Sequence, residues 1–157
     1  MQYPARSVHV DVARQALEVR GGAGEPLARF AVSTSPHGCG GAAGSLRTPC
    51  GRFRIVEKIG HGLPLDTVFK GRLPQPATAA TPAVDDDLVV ARVLRLHGLE
   101  HDNANTLERY IYIHGTNHGH AIGAPAGHGC VRLRPADAAA LFQLVEVGTE
   151  VEITAGG

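Results

Sequence analysis

One cysteine of the chain is surrounded by glycines and a histidine. Residues 123–133 read GAPAGHGCVRL, so Cys130 directly follows His128 and Gly129. A thiol attacks a carbonyl carbon only as the thiolate, so a catalytic cysteine needs a neighbouring base and hydrogen-bond donors for the oxyanion that forms. Cys130 is therefore either a buried thiol in a packed turn or a nucleophile presented on an open backbone.

His114 is the candidate base for this cysteine. It ends the apolar run YIYIH, a predicted strand, sixteen residues before Cys130. The loop between them holds five glycines and can fold back so that the imidazole approaches the sulfur. Gly127 and Gly129 also permit the tight backbone in which successive N–H groups converge on one oxygen. The pairing of Cys130 with His114 favours a nucleophile over a merely buried thiol.

Histidines are dense around the same loop and raise a different possibility. Within residues 114–128 lie His114, His118, His120 and His128. Imidazoles at such spacings can bind zinc or nickel, which keeps a His-rich metal-dependent hydrolase as an alternative. No carboxylate lies among them, and a metal site would not explain the cysteine turn. We therefore predict no metal and no cofactor, with His118 and His120 facing solvent.

The overall composition limits the class of protein. The chain has 157 residues, of which 43% are hydrophobic and only 4% aromatic, enough for the core of a single domain spanning 1–157. Fifteen basic residues balance fifteen acidic ones, which argues against nucleic acid as a partner. No window approaches the roughly 18 apolar residues of a transmembrane segment. We expect a soluble monomer.

The other two cysteines, Cys39 and Cys50, enclose a short Gly-rich segment. No CxxC spacing is present, so a structural zinc site is poorly supported. A disulfide between these two in an oxidising compartment would leave Cys130 free. Because sequence does not report the geometry that a disulfide needs, the bridged and the reduced states both stay open at this point.

Strand-like patterns dominate the chain. Valines alternate with polar residues over 8–12, and residues 17–19 repeat the pattern, which predicts a hairpin with one buried face. Further strands are predicted at 29–33, 51–58, 87–96, 109–114 and 149–154. The stretch LPQPATAATPAVDDD, residues 73–87, suits an exposed excursion better than a strand or a helix. The sequence therefore predicts a mostly β architecture.

One helix is predicted after the cysteine. Pro135 fits a first helical position. An apolar stripe follows with i, i+3, i+4 and i+7 spacing at Ala138, Leu141, Phe142 and Val145. We expect this stripe to pack against the sheet and the helix to end at Gly148.

The run YIYIHGTNHGHAIGAPAGHGCVRLRPADAAALFQLVEVGTEVEI resembles the catalytic signature of the L,D-transpeptidase (YkuD-type) domain. In that family an HG pair is followed, after a loop, by Ser-His-Gly-Cys-Ile/Val-Arg, a short helix and a closing GT.V.I strand. The upstream segments VDVARQALEV, VSTS and GSLRTPCGRFRI resemble its opening hairpin and TP-G-F segment, so the resemblance covers nearly the whole chain. It implies a mostly β sandwich or barrel-like fold with one short helix packed on the sheet after the cysteine.

The resemblance also implies roles for four residues of the motif. Cys130 would be the acyl-accepting nucleophile and His114 its base. The backbone carbonyl of Gly115 would orient the imidazole. The backbone N–H groups of Gly129 and Cys130 would form the oxyanion hole.

The resemblance further implies substrate contacts from His128, Arg132 and Tyr112, and two positions depart from the family's pattern. Arg132 is expected to hold a substrate carboxylate, because a planar guanidinium binds carboxylates through paired hydrogen bonds. Gly127 replaces the usual Ser or Thr, so a local hydroxyl contact is missing and the turn is expected to be looser. Cys50 replaces the usual Thr of the TP-G-F segment and could place a second thiol near the site.

The activity that the resemblance implies is two-step acyl transfer on peptidoglycan stem peptides. The thiolate attacks the carbonyl of the third stem residue, expels the terminal D-Ala and forms a thioester, and an amine of a neighbouring stem then takes the acyl group to give a 3→3 cross-link. Water as acceptor would make an L,D-carboxypeptidase. Acylation by carbapenem-type inhibitors is also implied. A non-catalytic wall-binding module is the remaining alternative, and it would need no activated thiol.

The location of the protein follows from this activity rather than from a sorting signal. Peptidoglycan lies outside the inner membrane, so the resemblance implies the periplasm or the cell wall. Residues 1–12 contain no apolar segment of the kind found in signal peptides. The export route and a cytoplasmic role on recycled stem peptides therefore both stay open.

Overall fold

A computed structural model describes residues 5–76 and 87–156. Within those ranges the chain forms ten strands, one α-helix and two 3-10 turns, which confirms the predicted mostly β architecture. The strands are β1 Ser7–Asp11, β2 Ala16–Arg20, β3 Pro26–Ala31, β4 Gly51–Ile59, β5 Val68–Lys70, β6 Leu73–Pro74, β7 Val89–Gly98, β8 Tyr112–Thr116, β9 Val131–Leu133 and β10 Glu150–Thr154. The helix α1 is Pro135–Leu144, and the 3-10 turns are His101–Asn103 and Gly119–Ala121.

The strands form one curled sheet, a half-barrel. Its main path runs in the order β3, β2, β1, β10, β4, β7, β5, β6. The last strand, β10, pairs parallel to β1, which joins the two ends of the chain in the middle of the sheet. Strand β7 also pairs with β8, and β8 pairs parallel to β9. Strand β8, which contains His114, and strand β9, which follows Cys130, are thus direct neighbours.

Alternating hydrophobic residues build the core of the opening hairpin as predicted. Val8 on β1 lies opposite Val19 on β2 and Val151 on β10, and all three side chains are fully buried. Since successive side chains of a strand point to opposite faces, the polar residues between them face outward. Burying each such side chain contributes roughly 1.5 to 3 kcal/mol to folding.

Helix α1 begins at Pro135 as predicted but ends earlier than expected. Its last residue is Leu144, and Val145 is already extended, with φ −121° and ψ 161°, so the expected end at Gly148 is wrong. The carbonyl of Val145 instead accepts a hydrogen bond from Lys58 Nζ at 2.7 Å, which ties this end of the helix to β4. The buried residues of the helix are Ala138, Leu141 and Phe142. No helix within the described ranges is long and apolar enough to span a membrane.

Strand boundaries differ from the prediction where the backbone turns. The strand predicted at 109–114 begins only at Tyr112, because Tyr110 adopts a left-handed φ of +56° at the end of the preceding turn. Strands β5, β6 and β9 were not predicted, since two or three residues carry no readable periodicity. Most of the predicted excursion, residues 77–86, lies outside the described residues.

The loop of residues 39–50 is closed by a disulfide between Cys39 and Cys50. Cys130 is the free cysteine. The expectation that Cys50 places a second thiol near the site is therefore wrong, because its sulfur is bonded to Cys39. Side chains from the turn before β8 hold the loop: Asn105 Nδ2 donates to the carbonyl of Gly41 at 2.7 Å.

Candidate active site

The parallel pairing of β8 and β9 brings His114 and Cys130 to the same side of the sheet. Ile113 lies opposite Val131, His114 lies opposite Arg132, and Cys130 immediately precedes β9. Because side chains alternate along a strand, one side of this pair carries apolar residues and the other carries polar ones. We call these two sides the core face and the site face. The core face is Ile113, Val131 and Leu133. The site face is Tyr112, His114, Cys130 and Arg132.

The Cys130 thiol is half-buried and held by two backbone groups. Its sulfur accepts a hydrogen bond from the Tyr112 N–H at 3.2 Å and donates one to the Tyr110 carbonyl at 3.5 Å. Burial raises the pKa of the thiol to about 11, the Tyr112 N–H bond opposes this rise, and Asp87 adds to it. The resting thiol is therefore protonated at neutral pH.

The His114 ring is buried in a defined tautomer. Its Nδ1 lies 2.6 Å from the carbonyl oxygen of Gly115. A carbonyl only accepts hydrogen bonds, so Nδ1 carries the proton and Nε2 is left with its lone pair. Burial lowers the pKa of His114, while the Gly115 bond and Asp87 partly offset that fall. The ring is thus a neutral imidazole at neutral pH, which is the form that acts as a base.

The thiol and the imidazole share a face, and no hydrogen bond between them is found among the described residues. Among the described residues, the hydrogen bonds of Cys130 go to Tyr112 and Tyr110, and that of the His114 ring goes to Gly115. Catalytic hydrogen bonds are often absent or long without substrate and tighten in the complex. The structure therefore places a thiol and an imidazole on one face of β8 and β9 without a bond between them.

Gly115 is required where β8 passes a bulge in β7. The pairing of β7 with β8 shifts register between Val90 and Val93, and Ala91 in the bulge has a left-handed φ of +70°. A Cβ on Gly115 would lie 2.5 Å from the Val90 carbonyl oxygen. Only glycine fits under this carbonyl. The close approach fixes the peptide whose carbonyl orients His114.

Gly129 forms the turn in front of the thiol. Its φ is +125°, a conformation that favours glycine, and a Cβ there would lie 3.1 Å from Ile111 Cδ1 and 3.2 Å from the Arg47 carbonyl oxygen. Neither its N–H nor that of Cys130 donates any of the turn and loop backbone hydrogen bonds found among the described residues. Gly129 itself is buried, and Cys130 is half-buried.

Arg132 lies on the site face with its side chain turned inward. Only 1% of it is exposed, Nη1 is 2.9 Å from Asp87 Oδ1 and Nη2 is 2.9 Å from Ser33 Oγ. Its Nε is enclosed and lacks a hydrogen-bond partner, and a Cβ built on Gly127 would lie 3.1 Å from it. The guanidinium is committed to internal partners. This geometry favours a positioning role over the expected binding of a substrate carboxylate.

Asp87 is a site residue that sequence reasoning missed. Besides Arg132, its carboxylate approaches Thr116 Oγ1 at 3.4 Å and His128 Nδ1 at 3.7 Å. It follows residues 73–86 of the predicted excursion, and nothing in the DDD run distinguishes it from its neighbours. Asp87 thus connects β9, β8 and the cysteine turn. His128 itself is mostly exposed beside it.

Tyr112 is buried and contacts both the Cys130 thiol and the half-buried Arg72. Its N–H binds the sulfur of Cys130, and its hydroxyl accepts a hydrogen bond from Arg72 Nη1 at 3.2 Å. The Arg72 guanidinium also lies 5.9 Å from the centre of the Tyr110 ring, whose side chain is exposed. Tyr112 therefore supports the thiol directly, and Arg72 and Tyr110 form the more accessible surface beside it.

The segment VSTS, residues 32–35, holds the loop that precedes the cysteine. Gly123 N–H donates to the Val32 carbonyl at 2.9 Å, and the N–H groups of Ala126 and Gly127 both donate to the Thr34 carbonyl, at 2.9 and 2.8 Å. The turn at Gly127 is therefore fixed by its backbone. The expectation that loss of the hydroxyl loosens this turn is not supported by these contacts.

The remaining histidines of the loop form no recognisable metal site. The rings of His118 and His120 are 5.5 Å apart, with His120 exposed and His118 half-buried. In residues 5–76 and 87–156, no group of three or more His, Cys, Asp or Glu side chains is arranged to hold a metal ion.

A separate groove of about 140 Å³ lies on the outer face of β1, β2 and β10. None of its lining residues belongs to β8 or β9. Its acidic and basic side chains pair with each other, as in Arg20 with Glu18 at 2.7 Å. The groove is therefore separate from the site face that carries Cys130 and His114.

The fold and the site together define a family of enzymes. The family model of the L,D-transpeptidase catalytic domain, YkuD, matches residues 5–153, and the chain belongs to this family. Probable L,D-transpeptidase YbiS of Escherichia coli strain K12 is 52% identical over 44 residues, which are 28% of this chain and 14% of that protein. Most of that relative's length therefore has no counterpart in the match.

Solved structures of L,D-transpeptidases share the fold. The protein LdtMt1 in complex with imipenem superposes with a TM-score of 0.63 at 22% identity, covering 96% of this chain and 59% of that one. An L,D-transpeptidase from Mycobacterium smegmatis gives a TM-score of 0.62 at 21% identity, with 96% and 59% covered. L,D-transpeptidase 3 from Mycobacterium tuberculosis, with a faropenem-derived adduct, gives 0.60 at 16% identity, with 96% and 60% covered. The expected fold is confirmed, and the chain spans about three-fifths of these proteins.

Proposed function

We propose that this domain is a cysteine acyltransferase that acts on peptidoglycan stem peptides, with Cys130 as nucleophile and His114 as base. The observation that carries the proposal is the parallel pairing of β8 with β9, which sets the thiol and the imidazole on one face. The contact of His114 Nδ1 with the Gly115 carbonyl supports the assignment, since it leaves Nε2 free to accept a proton.

The first half of the reaction forms a thioester. The Cys130 sulfur attacks the carbonyl of the third stem residue while its proton passes to His114 Nε2. The negative charge that develops on the carbonyl oxygen is stabilised by the N–H groups of Gly129 and Cys130. Collapse of this intermediate breaks the bond to the terminal D-Ala, whose amine takes the proton from the imidazolium.

The second half transfers the acyl group. A side-chain amine of a neighbouring stem attacks the thioester, His114 accepts its proton, and the Cys130 thiol is released with a 3→3 cross-link formed. Water in place of the amine gives an L,D-carboxypeptidase with the same thioester. The two activities differ only in the acceptor.

The electrostatics of the resting site support general-base chemistry rather than a preformed ion pair. The raised pKa of Cys130, about 11, keeps the thiol neutral, and the lowered pKa of His114 keeps the imidazole neutral. Attack and proton transfer are therefore coupled. Since His114 must be unprotonated, the base stays available as pH falls until its lowered pKa, below the ordinary value near 6.5, is reached.

The proposal extends to inhibitors and location. Relatives of the same fold were solved with imipenem and with a faropenem-derived adduct. The same attack by Cys130 on a β-lactam carbonyl would acylate this protein. Since peptidoglycan stem peptides lie outside the inner membrane, we propose that the protein acts in the periplasm or at the cell wall. We further propose that it acts as a monomer and needs no cofactor.

The test is turnover of purified tetrapeptide stems or muropeptides by the protein and its Cys130→Ala variant. We expect D-Ala release by the unmodified protein and none above background by the variant. Mass spectrometry separates the products: dimers indicate a transpeptidase, tripeptides a carboxypeptidase and unchanged substrate a binding module. A chelator should leave turnover unaffected, whereas alkylation should abolish it.

The control for this test is the fold of the variant. Cys130 lies outside β8 and β9 and its side chain is half-buried, so Cys130→Ala should keep the thermal melt and far-UV spectrum of the parent. Continued D-Ala release by a folded Cys130→Ala protein would refute the covalent mechanism.

A further inference from the structure

One arginine beside the cysteine turn, Arg109, has no role in the mechanism proposed above. Arg109 directly precedes Tyr110, whose carbonyl accepts the thiol hydrogen bond of Cys130. Its guanidinium packs against the cysteine turn: Nη2 lies 3.7 Å from the position of a Cβ built on Gly129. A positive charge is therefore placed beside the residue that precedes the nucleophile.

Arg109 is anchored by carbonyl oxygens. Nη1 donates to the Gly40 carbonyl at 3.1 Å and Nη2 donates to the Arg47 carbonyl at 2.6 Å. Both carbonyls belong to the loop closed by the Cys39–Cys50 disulfide. The planar fork of a guanidinium can bridge two such acceptors, which the single ammonium of a lysine does less well. The disulfide-closed loop thus holds the Arg109 guanidinium in place.

The charge of Arg109 is not neutralised by a carboxylate. No ion pair within 4.0 Å joins it to an acidic side chain of the described residues. Arg132, the other arginine close to the thiol, has Asp87 at 2.9 Å and so contributes little net charge. Arg109 is partly desolvated, and burial lowers its own pKa, an effect that the nearby Cys130 offsets. An unpaired cation of this kind is best stabilised by an anion that forms next to it.

We propose that Arg109 is a positioning residue that favours the negative charge on Cys130 during attack and binds the disulfide-closed loop to the cysteine turn. The inference rests on the proposed function only in taking Cys130 as the nucleophile. Arg109 acts through the charge of the sulfur and touches no substrate atom. Its effect is to increase the fraction of thiolate at a given pH.

Other groups around the Cys130 thiol also favour or disfavour its ionised form. Asp87 disfavours the thiolate, whereas Arg132 and the Tyr112 N–H favour it. Further titratable or charged neighbours are His114 on β8, His128 beside Asp87, and Arg72, which contacts Tyr112 and Tyr110. All of these stay in place when Arg109 alone is changed, so its contribution can be measured separately.

The experiment is the pH dependence of Cys130 alkylation by iodoacetamide, measured without substrate. Cys130 is the free thiol and Cys39 and Cys50 are bridged, so the rate reports one sulfur. The variants are Arg109→Gln, Arg109→Lys and a control, Arg134→Gln, which removes one charge from an exposed position at the start of α1. Thermal melts of all three check the fold.

We expect Arg109→Gln to alkylate roughly three- to tenfold more slowly at pH 8, with the whole profile moved to higher pH. Arg109→Lys should recover most of the rate because it keeps the charge, even where its melt is lower. Arg134→Gln should match the unmodified protein.

Three results would overturn the inference: an unshifted profile for Arg109→Gln, an equal shift for Arg109→Lys, or an equal shift for Arg134→Gln. If Arg109→Gln does not fold, Arg109→Met, which is also neutral, replaces it in the comparison with Arg109→Lys, and an unshifted profile for Arg109→Met likewise overturns the inference. Because no peptidoglycan substrate is used, failure of the proposed function and failure of this inference give different results.

Discussion

The core face and the site face of β8 and β9 both contain deeply buried side chains, but burial has different consequences on the two faces. Ile113, Val131 and Leu133 are at most 1% exposed and contact other apolar side chains. His114 and Arg132, each one residue away along the same strands, are 4% and 1% exposed yet polar. Burial therefore does not separate the two faces. What separates them is that the polar side chains make directed bonds to partners elsewhere in the chain.

The two faces also affect stability in opposite ways. Removing apolar area from water stabilises the core face without demanding a particular geometry. On the site face, burial penalises charge, which raises the pKa of Cys130 and lowers that of His114. Two of the three nitrogens of the buried Arg132 guanidinium bond to Asp87 and Ser33. The polar side chains of the site face thus need particular hydrogen-bond or ion-pair partners, whereas the apolar side chains of the core face need only to fill buried volume.

The largest effect should come from breaking the buried ion pair. Arg132→Met keeps a long side chain but leaves the Asp87 carboxylate, 22% exposed, without its main partner. Breaking such a pair on one side costs about 3 to 5 kcal/mol of unfolding free energy, and the partial exposure of Asp87 favours the lower figure. Urea denaturation measures this loss. The control Arg134→Met, two residues away and exposed, should change little. Equal stability of the two variants would contradict the assigned role of the pair.

A smaller loss, confined to stability, should follow from the core face. Leu133→Ala removes a fully buried side chain and should cost about 2 to 4 kcal/mol of unfolding free energy. Because Leu133 points away from the site face, the alkylation rate of Cys130 at fixed pH should stay unchanged in the folded variant. The unfolding free energy and the alkylation rate together show whether a change on the core face affects the site face. A large change in thiol reactivity would mean that the two faces are coupled.

Local patterns predicted the elements that follow a simple period. The alternating valines of β1, the first residue of α1 and the buried stripe of that helix were all readable, because periodicity follows directly from backbone geometry. The predicted end of α1 was wrong because Val145 is already extended, and its carbonyl bonds to Lys58, a residue of a distant strand. Contacts of this kind depend on tertiary structure and leave no local trace.

The same limit applied to the site. Motif spacing pointed to Cys130 and His114 as a pair, and the fold places them on one face, although their roles stay predictions. Asp87, which reaches Arg132 from 45 positions away, could not be found from the sequence. Arg132 was expected to bind a carboxylate of the substrate, and the carboxylate it contacts belongs to the protein. Sequence identified the type of interaction but not the partner.

The smallest effect concerns the one enclosed donor of Arg132 that lacks a partner. In the described chain Nε of Arg132 faces Gly127, where a Cβ would lie 3.1 Å away, so a serine hydroxyl there can accept its hydrogen bond after a small shift. Gly127→Ser should therefore be more stable than Gly127→Ala by up to about 1 kcal/mol of unfolding free energy. The alanine variant adds the same Cβ contact without an acceptor, so the difference between the two isolates the hydroxyl. Equal denaturation midpoints for the serine and alanine variants would show that a hydrogen bond to Arg132 Nε adds no stability.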